Sequence, residues 1–552
     1  MRGEMRIPPS PPFSKGGTSP VPAQAELDFT TTPPFEKGGP GGIPAHQGAR
    51  TTAAWMENLE LLAEAPGGVE RLRAMFTKMA ILGAFTSCAA PDFETVQLGS
   101  VVNFKNGYAF KSEWFSKSGV RLARNANVGH GTLDWRECAY LREDLAGEYS
   151  AFGLSSGDIL LSLDRPIIST GLKVAVVTDR DLPCLLLQRV AKLTPLAGRL
   201  APDFLLHWLR SPLFVNVIDP GRSNGVPHIS TKQVAALPIQ LPPLAEQHRI
   251  VAKVDELMAL CDRLEARQAD AQHAHARLVQ ALLDSLTQAR DAEEFQAAWE
   301  RVAGEFEAVF TTEASVDALR ASVLQLGVLG RLGTGIASDE AAPMLLERLG
   351  ASPSPDTSEP LPNNWCWTKF SNICSIRSAL VRPEDHLDEP QVAPDCIEKG
   401  TGRLLFKRTV RDSGVRGPNS RFYPGQLVYS KIRPSLSKVI LVDFAGLCSA
   451  DMYPIDSRIN AKYQIYLMLS ENFLSQVRVA ENRVKMPKLN QESLNDFLVP
   501  LPPLAEQHRI VAKVTELLAL CDQLKAKIAA AQAKQAQLAE ALVKQAVATA
   551  AG

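Results

Sequence analysis

Fourteen residues, LPPLAEQHRIVAKV, stand at 241–254 and return letter for letter at 501–514. Continued to 26 residues, the two stretches differ only at 255, 258, 263 and 265 of the first copy. Internal repetition decides the architecture before any local propensity does, because each copy must solve the same packing problem. Each copy reads as a helix start. Two prolines occupy positions where a missing N–H costs nothing. Glu246 and Glu506 sit in the first turn, toward the positive end of the helix dipole. Apolar residues then recur at Ile250, Val254, Leu257, Cys261 and Leu264, and at Ile510, Val514, Leu517, Cys521 and Leu524. Steps of four and three are the seam of a coiled coil. On this reading Cys261 and Cys521 are small buried hydrophobes rather than redox groups. Ala- and Gln-rich sequence prolongs both helices to roughly 45 residues, or about 65 Å at 1.5 Å per residue. Two such helices in one chain are expected to pack on each other, antiparallel, relating the halves by a pseudo-twofold axis.

Further matches precede the helices. GDILLSLDRP (157–166) and GQLVYSKIRP (425–434) share Gly157/Gly425, Ser162/Ser430, Arg165/Arg433 and Pro166/Pro434. GLKVAVV and SKVILVDF follow them, each predicted to form the next strand. VPHISTKQVAALPIQLPPL aligns with MPKLNQESLNDFLVPLPPL, and VERLRAMFTKMAILGAF (69–85) resembles VDALRASVLQLGVLGRL (316–332). The order is therefore short helix, β-rich domain, long helix, and then the same again. The fold class is α+β: two similar domains, each a small β-sheet with helices, on long helices. The boundaries expected are a helical segment at 56–90, a first domain at 91–240, spacer helices at 241–345, a linker at 346–360, a second domain at 361–500 and a last helix at 501–552. The stretches 335–362 and 287–297, rich in Pro, Ser and acid, also read as connecting sequence.

The first 55 residues stand apart. PPFSKGG (11–17) and PPFEKGG (33–39) form a Pro/Gly-rich near-repeat that cannot bury a core and is expected to be disordered. Met56 is a candidate start. SPPF (10–13) has the form of an adenine-methyltransferase tetrad, but without a glycine-rich strand–helix turn it is read as accidental.

Nine cysteines, none in a CxxC pair or beside a spaced histidine pair, argue against zinc and suit a reducing cytoplasm. No apolar run is long enough to span a membrane. The chain has no GxxxxGK[ST], GxGxxG or HExxH motif, so nothing marks an enzyme. Net charge is −1. The domains are more basic: 91–240 holds 16 Lys and Arg against 14 Asp and Glu, and 361–500 holds 19 against 14. Local basic patches fit phosphate neutralisation, although a charge run is more often a solvated face.

LPPLAEQHRIVAKVDELMALCD at the close of one domain, LRASVLQLGVLGRL before the next and LPNNWCWTKFSNIC (361–374) at its opening resemble the DNA-specificity subunit of type I restriction–modification systems. The first domain opens with APDFETVQLGS, without that Trp-x-Trp. The resemblance implies two target-recognition domains, each reading half of a bipartite asymmetric double-stranded DNA site. It implies helices that set the gap between half-sites and dock two modification subunits, and restriction subunits beyond them. S-adenosylmethionine, ATP and Mg are expected in those partners, and this chain is expected to carry no cofactor, metal or catalytic residue. The seam residues named above are the candidate docking positions.

Candidate DNA contacts are cations and amides in turn-rich sequence. In the first domain they are Lys105, Asn106 and Lys111, then Arg121, Arg124 and Asn125, then Arg165. Arg222, Asn224, His228 and Lys232 follow, His228 having no evident carboxylate partner in sequence. In the second domain RLLFKRTVRDSGVRGPNSRF (403–422) contributes Lys407, Arg408, Arg411, Arg416 and Arg421; Arg433, Arg483, Lys485 and Lys488 complete the set. The competing reading is a scaffold that binds proteins, with two modules on a coiled-coil spacer and no DNA role.

Overall fold

The computed structural model describes residues 58–85, 93–168, 171–218, 228–332, 335–354, 360–481 and 488–551. The expectations for 1–55 lie outside the described residues. The chain divides into two compact units, one built on 58–271 with 532–551 and the other on 272–531. The long helices are Leu244–Thr287 and Leu504–Ala551. Each gives its first half to one unit and its second half to the other.

In the first unit, strands Glu94–Gln97 and Pro238–Leu241 pair antiparallel and tie the domain's beginning to its end. A five-stranded sheet runs in the order Val102–Asn106, Val190–Pro195, Ile159–Ser162, Val174–Val176, His130–Gly131. A second sheet runs Cys184–Leu186, Val120–Ala123, Tyr140–Leu141, Phe115–Ser116. Helix Pro202–Arg210 buries Phe204, Leu205 and Leu209 on Ile159, Leu161 and Val174.

The second unit has the same frame. Cys366–Lys369 pairs antiparallel with Leu498–Leu501. Its first sheet runs Cys374–Ile376, Met452–Ser457, Leu427–Ser430, Val439–Leu441. Its second runs Leu380–Val381, Asn419–Phe422, Gly446–Cys448, Pro390–Val392, Arg408–Thr409. The parallel pairing of Cys184–Leu186 with Val120–Ala123 is matched by that of Gly446–Cys448 with Pro390–Val392. The edges differ: Phe115–Ser116 extends one end in the first domain, and Asn419–Phe422 with Leu380–Val381 extends the other end in the second.

The seam has two uses. Ile250 and Val254 enter the core of the first domain, and Ile510, Val514 and Leu517 that of the second. One or two turns later, Leu257, Cys261 and Leu264 join helix Gly68–Ile81 and Ala539 and Ala546 of the other long helix. Cys521 and Leu524 likewise meet Leu283 and Leu286. Within each unit the halves that meet come from opposite ends of the two helices, as an antiparallel pair requires. The seam is thus not a surface open to another subunit. Eight of its ten residues are buried by this chain alone, with Leu264 and Leu524 partly buried against the same clusters.

Two stretches read as connectors are structured. Ala292–Gly304, which overlaps the expected connector at 287–297, is a helix. Asp291 caps it by accepting from Glu294 N at 2.8 Å, and Phe295, Ala298 and Val302 bury one face. The acidic residues mark the helix start. Helix Ala342–Arg348 carries Pro343 in its first turn and crosses the boundary set for the 346–360 linker; its Leu345 and Leu346 lie in the second domain's core beside Trp365.

Candidate nucleic-acid interface

The duplicated Ser-x-x-Arg-Pro turn has one geometry in both domains. Strand Ile159–Ser162 ends where Ser162 Oγ donates to Asp164 O at 2.8 Å, and strand Leu427–Ser430 ends where Ser430 Oγ donates to Ile432 O at 3.0 Å. Ser162 N donates to Lys173 O at 3.0 Å and Ser430 N to Lys438 O at 2.9 Å. The ammonium of Lys173 is held by Asn125 O, and that of Lys438 by Pro394 O at 2.6 Å. Asn125 Oδ1 also accepts from Lys173 Nζ, at 2.6 Å. Burial pushes the Lys173 amine below its ordinary pKa.

The arginine after this frame is left-handed in both copies, with φ 47° at Arg165 and 44° at Arg433. That region costs an L-residue about 1–2 kcal/mol. Both side chains are exposed, and neither makes an ion pair among the described residues. The segment leading to the next helix lies alongside. Ile229 N donates to Leu163 O at 3.0 Å, and Leu489 N to Lys431 O at 2.8 Å. Asp164 pairs with His228 and Ile432 with Lys488 as isolated bridges.

These bridges correct one expectation: His228 does have a carboxylate partner. Its Nδ1 lies 3.0 Å from Asp164 Oδ1, and Arg189 Nη1 is 3.0 Å from Asp164 Oδ2. The three residues are distant in sequence, and strand pairing brings them together. Arg165, Arg189, His228, Asn125 and Asp164 line one depression. In the second domain Lys488 pairs with Asp451 at 3.1 Å. Arg222, Asn224, Arg483 and Lys485 lie outside the described residues. Lys232 is exposed on helix Thr231–Ala235, and Asn106 Nδ2 is 3.4 Å from Thr231 Oγ1.

Other candidates are engaged within the chain. Arg121 donates to Arg180 O and Leu182 O at 3.0 and 2.8 Å and lies over Trp135. Arg124 donates to Glu137 O at 2.7 Å. Both hold their own domain together. Lys105 lies over Phe152, and Lys111 over Trp114. The basic run 403–422 is largely neutralised. Arg403 pairs with Asp522, Arg408 with Asp395 at 2.8 Å, Arg411 with Asp388 at 2.9 Å and Arg421 with Glu389 at 3.1 Å. Lys407 lies 4.2 Å from the Phe444 ring centre. Arg416 remains exposed and makes no ion pair among the described residues. Surface ion pairs hold weakly, so a phosphate can displace them.

Sequence reading missed Asp164, Arg189 and the equivalent lysines, the buried Lys173 and the half-buried Lys438, although both lysines open the matched strands GLKVAVV and SKVILVDF. It also missed the reason for the repeated helix start. Gln247 is fully buried: its Oε1 accepts from Ala201 N at 2.8 Å, and its Nε2 donates to Arg199 O at 2.9 Å and Pro242 O at 2.8 Å. Gln507 accepts from Asn460 N at 2.9 Å and donates to Pro502 O at 3.0 Å. Ala201 and Asn460 are the N-caps of the packing helices. The repeated motif therefore locks each long helix to its own domain.

Among the described residues no His, Cys, Asp and Glu cluster could hold a metal, and no helix is long and apolar enough to cross a membrane. The eight cysteines among the described residues are free; seven of these are buried, and burial pushes the Cys184, Cys374 and Cys448 thiols up to about 12.

Two domains of one frame, each clamped to a long helix, match what comparison finds. The family model described as the type I restriction modification DNA specificity domain matches residues 91–272 and 411–531, more than half of the chain. The EcoDI type I restriction enzyme specificity subunit of Escherichia coli is 31% identical over 338 residues, covering 61% of this chain and 68% of that protein. The EcoAI specificity subunit of the same species is 50% identical over 193 residues, 35% of this chain but only 33% of that protein's length. A chain solved in work on assembly and conformational transition of the type I R-M system aligns over 83% of this chain and 98% of its own length, at TM-score 0.50 and 17% identity. This chain belongs to the type I restriction–modification DNA-specificity family.

Proposed function

We propose that this chain selects the DNA sequence on which a type I complex acts, each target-recognition domain reading one half of a bipartite asymmetric site. One observation carries the reading: two domains that share a frame of paired strands, with different edges and different sequence, end on the same clamped helix start, inside a family match that reaches both. Its partners are then double-stranded DNA, two modification subunits and restriction subunits. Catalysis, S-adenosylmethionine, ATP and Mg belong to those partners, and the chain works in the cytoplasm. The modification subunits meet surfaces other than the seam, which is spent on the chain's own cores. Sequencing the methylome of a host that expresses this chain with its modification partner tests the reading. A single two-part motif, methylated on adenine in each half, is expected. An unmodified genome in the presence of an assembled complex overturns it.

A further inference from the structure

The left-handed arginine is an exposed side chain that both domains carry. Arg165 and Arg433 occupy equivalent positions of the repeated turn, have φ of 47° and 44°, and are both exposed and free of ion pairs among the described residues. The residue following each is a proline, which restricts the backbone before it further. Glycine would take the left-handed conformation without the steric penalty. The backbone around each arginine is already fixed by the serine hydroxyl, the lysine carbonyl and the adjoining strand. The guanidinium is therefore not needed to build the turn. Strain held at an exposed functional group indicates a partner outside the chain.

Domains that read different half-sites have one thing in common to touch, the sugar–phosphate backbone. A basic side chain sits on the adjoining segment in each case, His228 opposite Asp164 and Lys488 opposite Ile432. The carboxylate that holds it differs, Asp164 in the first domain and Asp451 in the second. Base-reading groups are expected to differ between the domains; a phosphate-binding group is free to stay the same.

We propose that Arg165 and Arg433 are equivalent phosphate anchors, one per domain, that seat each domain on its half-site without selecting bases. This rests on the DNA-reading function proposed above. The test compares the assembled complex of this chain with its modification subunits to the same complex carrying Arg165→Gly, Arg433→Gly or both. Glycine suits the φ, so thermal stability is expected to hold or rise. Affinity for a duplex bearing the wild-type motif is expected to fall about fivefold to tenfold per substitution, and the slope of log affinity against log salt to flatten by about 0.9 for each. The methylated motif is expected to stay unchanged, and Arg165→Lys to retain most of the binding. Wild-type affinity in the double variant, a lowered melting temperature with glycine, or a relaxed base in one half-site each overturn the proposal. If the wild-type complex itself shows no sequence-dependent duplex binding, the DNA-reading function fails instead.

Discussion

The first domain opens on Phe93 and the second on Trp365, and the difference propagates to the helix each domain clamps. Both rings are buried. Trp365 Nε1 donates to the buried Glu506 at 2.9 Å, whereas the phenyl ring of Phe93 has no N–H to offer, and Glu246 instead pairs with Arg249 on its own helix. The glutamine beside them shows the opposite balance: Gln247 makes three hydrogen bonds to backbone and Gln507 two. Identical motifs are therefore held by different sets of contacts. What both domains keep is the shape of the joint, and its hydrogen-bond inventory varies.

Substituting the glutamines breaks this comparison most severely. Gln247→Ala leaves the buried Ala201 N and Pro242 O and the part-buried Arg199 O without this partner, and about 2–4 kcal/mol of first-domain stability is expected to go. Native-state hydrogen exchange should show faster opening of helix Pro202–Arg210, with Ala461–Leu469 unchanged. Gln507→Ala should do the reverse by a smaller margin. Equal effects would mean that the count of bonds does not set the strength of the joint.

Trp365→Phe copies the first domain's solution into the second. It strips a hydrogen bond from a buried carboxylate, for an expected loss of about 1–3 kcal/mol by chemical denaturation. Phe93→Trp should give no matching gain, since Glu246 already has Arg249.

Lys173 offers a pH-dependent contrast. Burial depresses its folded-state pKa, so the unfolded chain binds the proton more tightly. Stability should then rise with pH between the depressed value and the ordinary lysine value near 10.4, where the unfolded state sheds its proton too. Lys173→Met should remove that rise. Melting curves of both proteins across alkaline pH check this, and parallel curves would mean that the amine titrates as if exposed.

The smallest effect is expected at the neutralised basic run. Asp395→Asn releases Arg408 from an exposed pair, and stability should move by less than about 1 kcal/mol. Duplex affinity should not fall. A fall would show that the pair positions Arg408 rather than masking it.

Much of this was legible before the structure. The doubled helix start, the doubled Ser-x-x-Arg-Pro turn and the strands after it are local patterns whose period and spacing carry their meaning. The connectors were misread because acid and proline mark helix starts as well as loops. Glu293 and Glu294 lie in the first turn of one helix and Pro343 in that of another, and each helix buries its apolar face.

By itself the sequence determined that there are two domains of one kind, where each long helix begins, and that the same turn carries an arginine in both. Only the tertiary structure decided what the seam touches: its first turns face a β-domain core, and later turns face the far half of the other helix. Heptad spacing specifies an apolar stripe but not the surface that covers it. The structure alone also decided which basic side chains are spent. Arg408 meets Asp395, Arg421 meets Glu389, and His228 meets Asp164 from 64 positions away. Ion pairing depends on separation in space, and that separation is set by strand register rather than by distance along the chain.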